Sequence, residues 1–245
     1  MKKSLFILLV LAAILLGAYY LYKQKNWAGM QNKPGMTEKI KTLISITSQE
    51  IREENYTGSK PVISGESMLA NAAREYVENI IAEFEAQANI AVPQMRADFG
   101  ADSPAASYSV DIGAGEAESE KTQSIIISIY VYTGGAHGSS SYKVLTASKK
   151  TGKLLSLSDV IKPEKEIEFL TLIKEKLNGW RPEGSDTPVL FTEDVANLSF
   201  ESFANWSLDD QNLTLYFSQY EVGPGVLGAF AFPIPLAEIT GLLLQ

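Results

Sequence analysis

The hydrophobic pattern of the chain begins with one long apolar run. Residues 4–22 form 19 successive positions without a charged side chain. As a helix this run would just cross a hydrocarbon layer of roughly 30 Å. Lys2 and Lys3 precede it, and tyrosines crowd its far end like an interfacial aromatic belt. We predict that residues 1–22 form a membrane anchor, and that residues 23–38, which lack apolar periodicity, form a tether.

The apolar run also bears on where the rest of the chain is located. A cleaved signal peptide is the alternative interpretation, but the residues that follow Ala18 are bulky rather than small. A long polar domain behind a single N-terminal anchor usually crosses the membrane. We therefore expect a single-pass protein of the cytoplasmic membrane, with its C-terminal domain outside the cytoplasm.

Two later segments carry the period of a helix. The stretch 66–90 repeats apolar residues at spacings of three and four, and Pro93 lies beyond the predicted end of the helix. The stretch 163–178 shows a shorter apolar stripe, with Pro163 in its first turn and Asn178 at its end. Stripes of this kind pack in a core, so both segments are predicted to be structural.

Other segments alternate with a period of two. Residues 108–113 alternate strictly, and the segments 124–133 and 141–148 form two longer strands around a glycine turn. One or two strands are expected within residues 39–57. Further short strands are expected in the last third of the chain, in 197–208, 212–222 and 226–236. A helical turn is expected at the C-terminal end.

These elements predict an α+β fold with antiparallel sheets packed with two main helices, preceded by one N-terminal transmembrane helix. The prediction follows because strands are grouped between helices without the alternation that produces parallel sheets. We divide the folded part into an N-terminal α+β module at residues 39–122 and a C-terminal α+β module at residues 123–245. The two modules are expected to pack tightly on each other.

Composition and charge limit the kinds of chemical site and binding partner that the protein can have. The sequence has no cysteine, which excludes disulfides, thiolate metal sites and cysteine nucleophiles. Its net charge is −8, and four lysines lie within residues 1–25 without an acid, so residues 26–245 hold 17 basic and 29 acidic side chains, a balance of −12. An acidic surface disfavours nucleic acid and favours cationic partners, although charge of this size also serves solubility alone.

Candidate chemistry centres on a single histidine, His137. Serines at 139, 140 and 141 follow it in one loop, whereas a catalytic base and its nucleophile are normally brought together by the fold. A lone histidine in a glycine turn is more often structural. The sequence also lacks phosphate-binding loops and the paired His or Cys ligands of a zinc site, so we predict no cofactor and no metal.

Several motifs together resemble one known family. Residues 132–138 read YTGGAHG, residues 151–159 read TGKLLSLSD, residues 216–224 read YFSQYEVGP, and residues 232–235 read FPIP. Upstream, residues 56–65 read YTGSKPVISG. In this order they resemble the RsiV-like family of extracytoplasmic domains of unknown function. This family includes the extracellular part of a lysozyme-sensing anti-sigma factor and the N-terminal part of a peptidoglycan deacetylase.

The resemblance implies a non-catalytic binding domain that recognises a cationic, lysozyme-like protein or a cell-wall glycan. Family members often place an aromatic residue after the proline of the later loop, where this sequence has Gly225. The candidate ligand-binding residues lie in the glycine turn and in that loop: His137, Ser139, Tyr142, Tyr220, Glu221 and Pro224. Two alternatives stay open. One is a peptidoglycan hydrolase or esterase that uses His137, and the other is a structural envelope protein that mainly oligomerises.

Overall fold

The computed structural model describes residues 44–244 and confirms the α+β class. The predicted anchor at residues 1–22 and the tether at residues 23–38 lie outside the described residues. Within residues 44–244, none of the helices combines the length and apolar character needed to cross a membrane.

Within residues 44–244, nine strands form two sheets. The larger sheet has six strands in the order β1-β2-β3-β4-β5-β6, and the smaller one has three in the order β7-β8-β9. The strands of the larger sheet are β1 (Ser45–Arg52), β2 (Thr57–Ser64), β3 (Tyr108–Glu118), β4 (Thr122–Thr133), β5 (Ser139–Ser148) and β6 (Leu154–Leu155). Those of the smaller sheet are β7 (Trp206–Leu208), β8 (Asn212–Phe217) and β9 (Phe230–Pro235).

Four α-helices accompany the sheets, and two of them are long, as expected. The long ones are α1 (Met68–Phe99) and α2 (Glu166–Gly179). The short ones are α3 (Thr192–Asn197) and α4 (Leu236–Ile239), the latter being the expected C-terminal turn. The segment 197–208, predicted as strand, contains only the three residues of β7, since residues 200–202 form a 3₁₀ turn.

The larger sheet is mixed, so the prediction of purely antiparallel sheets was wrong. Strand β2 runs parallel to β3, with Thr57 opposite Ser109 and Ser59 opposite Asp111. The connection between these strands contains the whole of α1, which is long enough to return the chain to the same end of the sheet. Gly58 permits the pairing, because a Cβ at this position would lie 1.8 Å from the Val110 carbonyl oxygen.

Helix α1 continues past Pro93 to Phe99, so its predicted end at residue 90 was wrong. A proline inside a helix removes one hydrogen bond and costs ~3 kcal/mol. Burial and anchoring beyond the proline offset this cost. Val92 is fully buried, and the Arg96 guanidinium donates to the Glu54 carbonyl at 2.9 Å and to the Asn55 side chain at 3.0 Å.

The first hydrophobic cluster, which we call the N-terminal core, lies between α1 and one face of the larger sheet. It is made mainly of isoleucine, valine and alanine side chains from α1 and from β3 and β4. Three alanines of α1 are fully buried, namely Ala70, Ala73 and Ala88. Side chains this small allow the helix backbone to approach the sheet closely.

The second cluster, which we call the C-terminal core, is formed by residues 157–242 and is rich in aromatic side chains. It packs α2 and the single helical turns against the smaller sheet. The two cores therefore divide near residue 150, whereas our predicted modules divide at residues 122–123. That predicted division falls at the start of β4, which pairs with β3 from Gln123 to Thr133, and it stays a prediction.

Hydrogen bonds join the smaller sheet and its loops to the larger sheet. The Thr146 hydroxyl of β5 donates to the Trp206 carbonyl of β7 at 2.8 Å. The Val144 N–H donates to the Asn205 side chain at 3.0 Å. The Val144 bond lies on the edge of β5 that β6 leaves uncovered, since β6 pairs only with Thr146 and Ala147.

Candidate functional site

Two loops that are far apart in the sequence meet at the start of β5. One is the glycine turn of residues 134–138, and the other is the segment 218–229 between β8 and β9. The Gln219 N–H donates to the Ser140 carbonyl at 3.0 Å, and the Gln219 side-chain oxygen accepts from the Ser140 N–H at 2.9 Å. The Ala229 N–H donates to the Ser140 hydroxyl at 2.8 Å. These bonds hold the second loop against β5.

The two loops place His137 beside Tyr220. The imidazole Nε2 lies 3.3 Å from the Tyr220 hydroxyl oxygen, and the ring centroids are 6.3 Å apart. The other ring nitrogen, Nδ1, lies 2.9 Å from the Gly138 carbonyl oxygen. Because a carbonyl only accepts hydrogen bonds, Nδ1 carries the proton. In the neutral ring Nε2 therefore accepts from the Tyr220 hydroxyl.

Tyr220 has an unusual backbone conformation. Among residues 44–244 it is the only non-glycine residue with a positive φ, at 69°. Such a conformation costs about 1–3 kcal/mol and persists only where its surroundings enforce it. A Cβ at position 225 would lie 2.2 Å from the Tyr220 ring, so Gly225 leaves the space that the ring occupies. Glycine at position 225 therefore fits the position of the Tyr220 ring in this loop.

Three apolar or aromatic side chains are exposed on these loops and on the neighbouring segment. Tyr220 is 57% exposed, Val226 is 92% exposed and Phe191 is 49% exposed. Phe191 lies beside the loop because its N–H donates to the Val222 carbonyl at 2.9 Å. We call His137, Tyr220, Val226 and Phe191 the loop surface. Exposed apolar groups on neighbouring loops are a feature of many protein-binding sites.

The other predicted loop residues hold the loops in shape. The Glu221 carboxylate accepts from the Ser218 N–H at 2.7 Å, which closes a turn. Burial of the carboxyl raises the pKa of Glu221, and the hydrogen bond from Ser218 partly opposes this rise. The rest of the residue is exposed to solvent. The Pro224 carbonyl accepts from the Leu227 N–H at 3.0 Å, and Ser139 begins β5. A binding role for Ser139, Glu221 and Pro224 stays a prediction.

Tyr142 lies in a different place from the loop surface. It is on the face of the larger sheet that points away from α1, and its ring meets the Tyr216 ring edge-on at 5.2 Å between centroids. Burial raises the pKa of Tyr216, whose hydroxyl is 3.0 Å from that of Ser207. Tyr142 lines a depression of about 360 Å³ on this face, together with Asp111, Ser128 and Tyr130. We call it the sheet-face depression.

The ring of His137 is hydrogen-bonded within the two loops. In the described part of the chain, the hydrogen bonds of its ring go to Gly138 and Tyr220, not to a serine hydroxyl. The nearby Ser140 hydroxyl accepts from the Ala229 N–H. Residues 44–244 also contain no group of three or more His, Asp or Glu side chains placed to hold a metal ion.

Sequence reasoning missed Phe191, Val226, Tyr130 and Asp111. The strict alternation of β3 does place Asp111 on the side opposite the core, which is the one signal that could have found it. Nothing in the sequence shows that Phe191 and Val226 stay exposed, because apolar residues in short segments usually pack inward.

Comparison with known proteins identifies the C-terminal part of the chain. Residues 158–237 match the sequence model of the family described as "Protein of unknown function (DUF3298)". Residues 158–237 are therefore similar to DUF3298 domains. They contain the smaller sheet, α2 and the loop that carries Tyr220. The resemblance to RsiV-like domains is thereby confirmed.

Two Bacillus subtilis (strain 168) proteins resemble this chain. The anti-sigma-V factor RsiV is 30% identical over 107 residues, which cover 41% of this chain and 37% of RsiV. The peptidoglycan-N-acetylmuramic acid deacetylase PdaC is 23% identical over 193 residues, which cover 77% of this chain and 39% of PdaC. The chain thus spans less than half the length of either relative.

Two solved structures share the fold. A DUF3298 family member from Bacteroides fragilis aligns with a TM-score of 0.55 at 14% identity, and one from Pseudomonas aeruginosa with a TM-score of 0.52 at 18% identity. Each alignment covers 83% of this chain and 95% of the other. The common fold therefore extends well beyond the DUF3298 domain into the larger sheet.

Proposed function

We propose that this chain is a non-catalytic, extracytoplasmic binding domain that captures a cationic, lysozyme-like protein on the loop surface. The observation that carries the proposal is the contact between His137 and Tyr220, which joins two distant loops into one surface with exposed apolar groups. Rigid, exposed aromatic side chains of this kind commonly supply most of the binding energy of a protein interface.

Charge and location support the same proposal. The balance of −12 over residues 26–245 would speed the approach of a cationic partner. The similarity to the anti-sigma-V factor RsiV favours a sensor-type or capture-type domain. We further propose that residues 4–22 anchor the chain in the cytoplasmic membrane, so that the domain faces the cell wall, where such partners are found.

Two other functions that the sequence left open, a hydrolase or esterase and a domain that binds a cell-wall glycan, differ in their support. A hydrolase or esterase would need a nucleophile beside His137, and the hydrogen bonds of His137 go elsewhere. A cell-wall glycan ligand has a specific observation in its favour, the sheet-face depression, which is separate from the loop surface.

The proposal is tested by titrating the full chain, in detergent, with a c-type lysozyme by calorimetry at low and at high salt. We expect binding that persists at high salt and inhibits lysozyme. We expect Tyr220→Ala to weaken it at least 10-fold, because a buried aromatic at the centre of an interface typically contributes about 2 kcal/mol or more.

A matched control tests whether truncating any exposed apolar side chain would weaken lysozyme binding. Ile167 of α2 is 81% exposed and does not belong to the loop surface, so Ile167→Ala should leave the affinity unchanged. Binding that disappears at high salt would show charge attraction alone. That result, or equal affinities for Tyr220→Ala and the unaltered protein, would refute recognition by the loop surface.

A further inference from the structure

The register of the larger sheet places two rows of side chains on the face opposite α1. In the first row Ser59, Asp111, Tyr130 and Ser140 are successive neighbours across β2, β3, β4 and β5. The second row, two residues along β3, contains Gly113, Ser128 and Tyr142. The core residues Val110 and Ile112 alternate with these positions, so both rows point away from the N-terminal core.

The sheet-face depression exists because small and large residues alternate between the rows. Tyr130 is paired with Ser140, and Tyr142 is paired with Ser128, so each tyrosine stands beside a small residue. Gly113 adds no side chain to this face, and the Ser128 hydroxyl lies over it, since a Cβ there would lie 2.7 Å from that oxygen. The two tyrosine rings therefore stand at either side of a space lined by hydroxyl groups.

Both tyrosines are held in position by neighbouring parts of the fold. Tyr130 is 44% exposed and its ring lies against Gly138, where a Cβ would come within 2.3 Å of the ring. Tyr142 is held by its edge-on contact with Tyr216 of the smaller sheet. Rings that are fixed before a ligand arrives lose little conformational entropy when it binds.

Asp111 is the one charged side chain that lines the depression. The Ser59 hydroxyl donates to its Oδ1 at 2.9 Å, which orients the carboxylate. An ionised carboxylate has about four acceptor positions, so Asp111 keeps capacity to accept from a ligand hydroxyl or N–H. Hydrogen bonds to a charged acceptor are roughly twice as strong as those between neutral groups.

We propose that the sheet-face depression binds a short, neutral saccharide. Tyrosine rings offer flat apolar surfaces to the C–H faces of a sugar ring, while Asp111 and the serine hydroxyls can bond its hydroxyl and amide groups. The acidic balance of the chain disfavours an anionic polysaccharide. A volume of about 360 Å³ would hold roughly one or two rings of a short oligosaccharide, and the remaining rings would extend into solvent. The site goes beyond the proposed function, since it does not use Tyr220, Val226 or Phe191.

The test is saturation-transfer difference NMR on the full chain with the β-1,4-linked trimer of N-acetylglucosamine as probe. This method detects weak ligands and reports which ligand protons contact the protein. We expect signals from the ring C–H protons and the acetyl group of the sugar, and a competing anionic oligosaccharide should not reduce them. Absence of any transfer to the trimer would overturn the proposal.

Paired variants assign the binding to this site. Asp111→Asn keeps the shape of the side chain and should weaken trimer binding about 10-fold, because it removes the charged acceptor. Tyr130→Ala should abolish transfer to the sugar ring protons. Tyr220→Ala is the control, and it should leave saccharide binding intact even if it prevents lysozyme binding. Unchanged binding in both Asp111→Asn and Tyr130→Ala would place the saccharide elsewhere and refute the site.

The same variants keep this proposal distinct from the proposed function. If trimer binding fails while lysozyme binding depends on Tyr220, only the saccharide site is wrong. If lysozyme does not bind while Asp111→Asn weakens trimer binding, the proposed function is wrong and the saccharide site in the sheet-face depression is supported.

Discussion

The N-terminal core and the C-terminal core are filled by different kinds of side chain. The N-terminal core relies on isoleucine, valine and alanine between a 32-residue helix and long strands. The C-terminal core relies on rings, and Phe169, Phe203 and Phe217 are fully or almost fully buried within it. Its strands have only three to six residues, and several of its helical segments are single turns.

The difference follows from element length. Long, regular elements fix the distance between helix and sheet, so small and branched side chains fill the space. Short elements leave irregular gaps, and large rings fill them while contacting each other edge-on. Phe169 meets Phe200 at 6.0 Å and Phe203 at 6.1 Å between centroids, and Phe203 meets Phe217 at 6.4 Å. Such pairs add about 0.5–1.5 kcal/mol beyond the area they bury.

The largest expected effect is at the centre of the ring network. Phe169→Ala should lower the free energy of unfolding by about 3–5 kcal/mol, because it leaves a large cavity and removes two ring contacts. Urea unfolding followed by circular dichroism measures this change. Phe99→Ala, at a position 65% exposed at the end of α1, is the control and should change stability by less than about 0.5 kcal/mol. A loss below about 1 kcal/mol for Phe169→Ala would show that the rings are not the main support of this core.

The N-terminal core should be sensitive to the opposite change. Ala73→Leu adds volume where α1 meets the sheet, and it should destabilise the protein by about 1–3 kcal/mol. Ala82→Leu, on the exposed side of the same helix, controls for helix propensity and should be nearly neutral. If the two variants unfold at the same urea concentration, small side chains on α1 are not required for its packing against the larger sheet.

The last of these effects, similar in size to that of Ala73→Leu, concerns the bonds between the two regions. Thr146→Val keeps the shape of a buried side chain but removes the hydroxyl that donates to the Trp206 carbonyl and lies 2.9 Å from the Ser124 hydroxyl. We expect a loss of about 1–3 kcal/mol, since buried polar groups lose their partners. The exposed Thr47→Val is the control. If thermal unfolding gives the same stability for both variants, these bonds do not couple the two cores.

The sequence predicts the long elements of the N-terminal core better than it predicts contacts between distant segments. The periods of α1 and of β3 to β5 predict these elements because one face of each packs on a continuous core. The extension of α1 past Pro93 was not predictable, since it depends on where Val92 and Arg96 find their partners. Likewise, the parallel pairing of β2 with β3 depends on the space that Gly58 leaves for the Val110 carbonyl. No local sequence pattern predicts this contact.

The candidate site shows the same limit. The motifs predicted that His137 and Tyr220 belong to functional loops, but not that they touch, because 83 positions separate them. Alternation along β3 and β4 shows that Asp111 and Tyr130 avoid the N-terminal core. It does not show that the face they occupy stays partly uncovered, because that depends on where the smaller sheet packs.

The edges of the larger sheet also limit how a partner can bind. Along β5, the side chains of Asn205 and Gln219 already bond the backbone N–H groups of Val144 and Ser140. At the opposite edge, β1 carries the charged side chains of Glu50 and Arg52, a feature that discourages another chain from joining a sheet. Neither edge is therefore an attractive template for an added strand, so the sheet resists fibril-like self-association. A partner has to be recognised by side chains, not by continued backbone pairing.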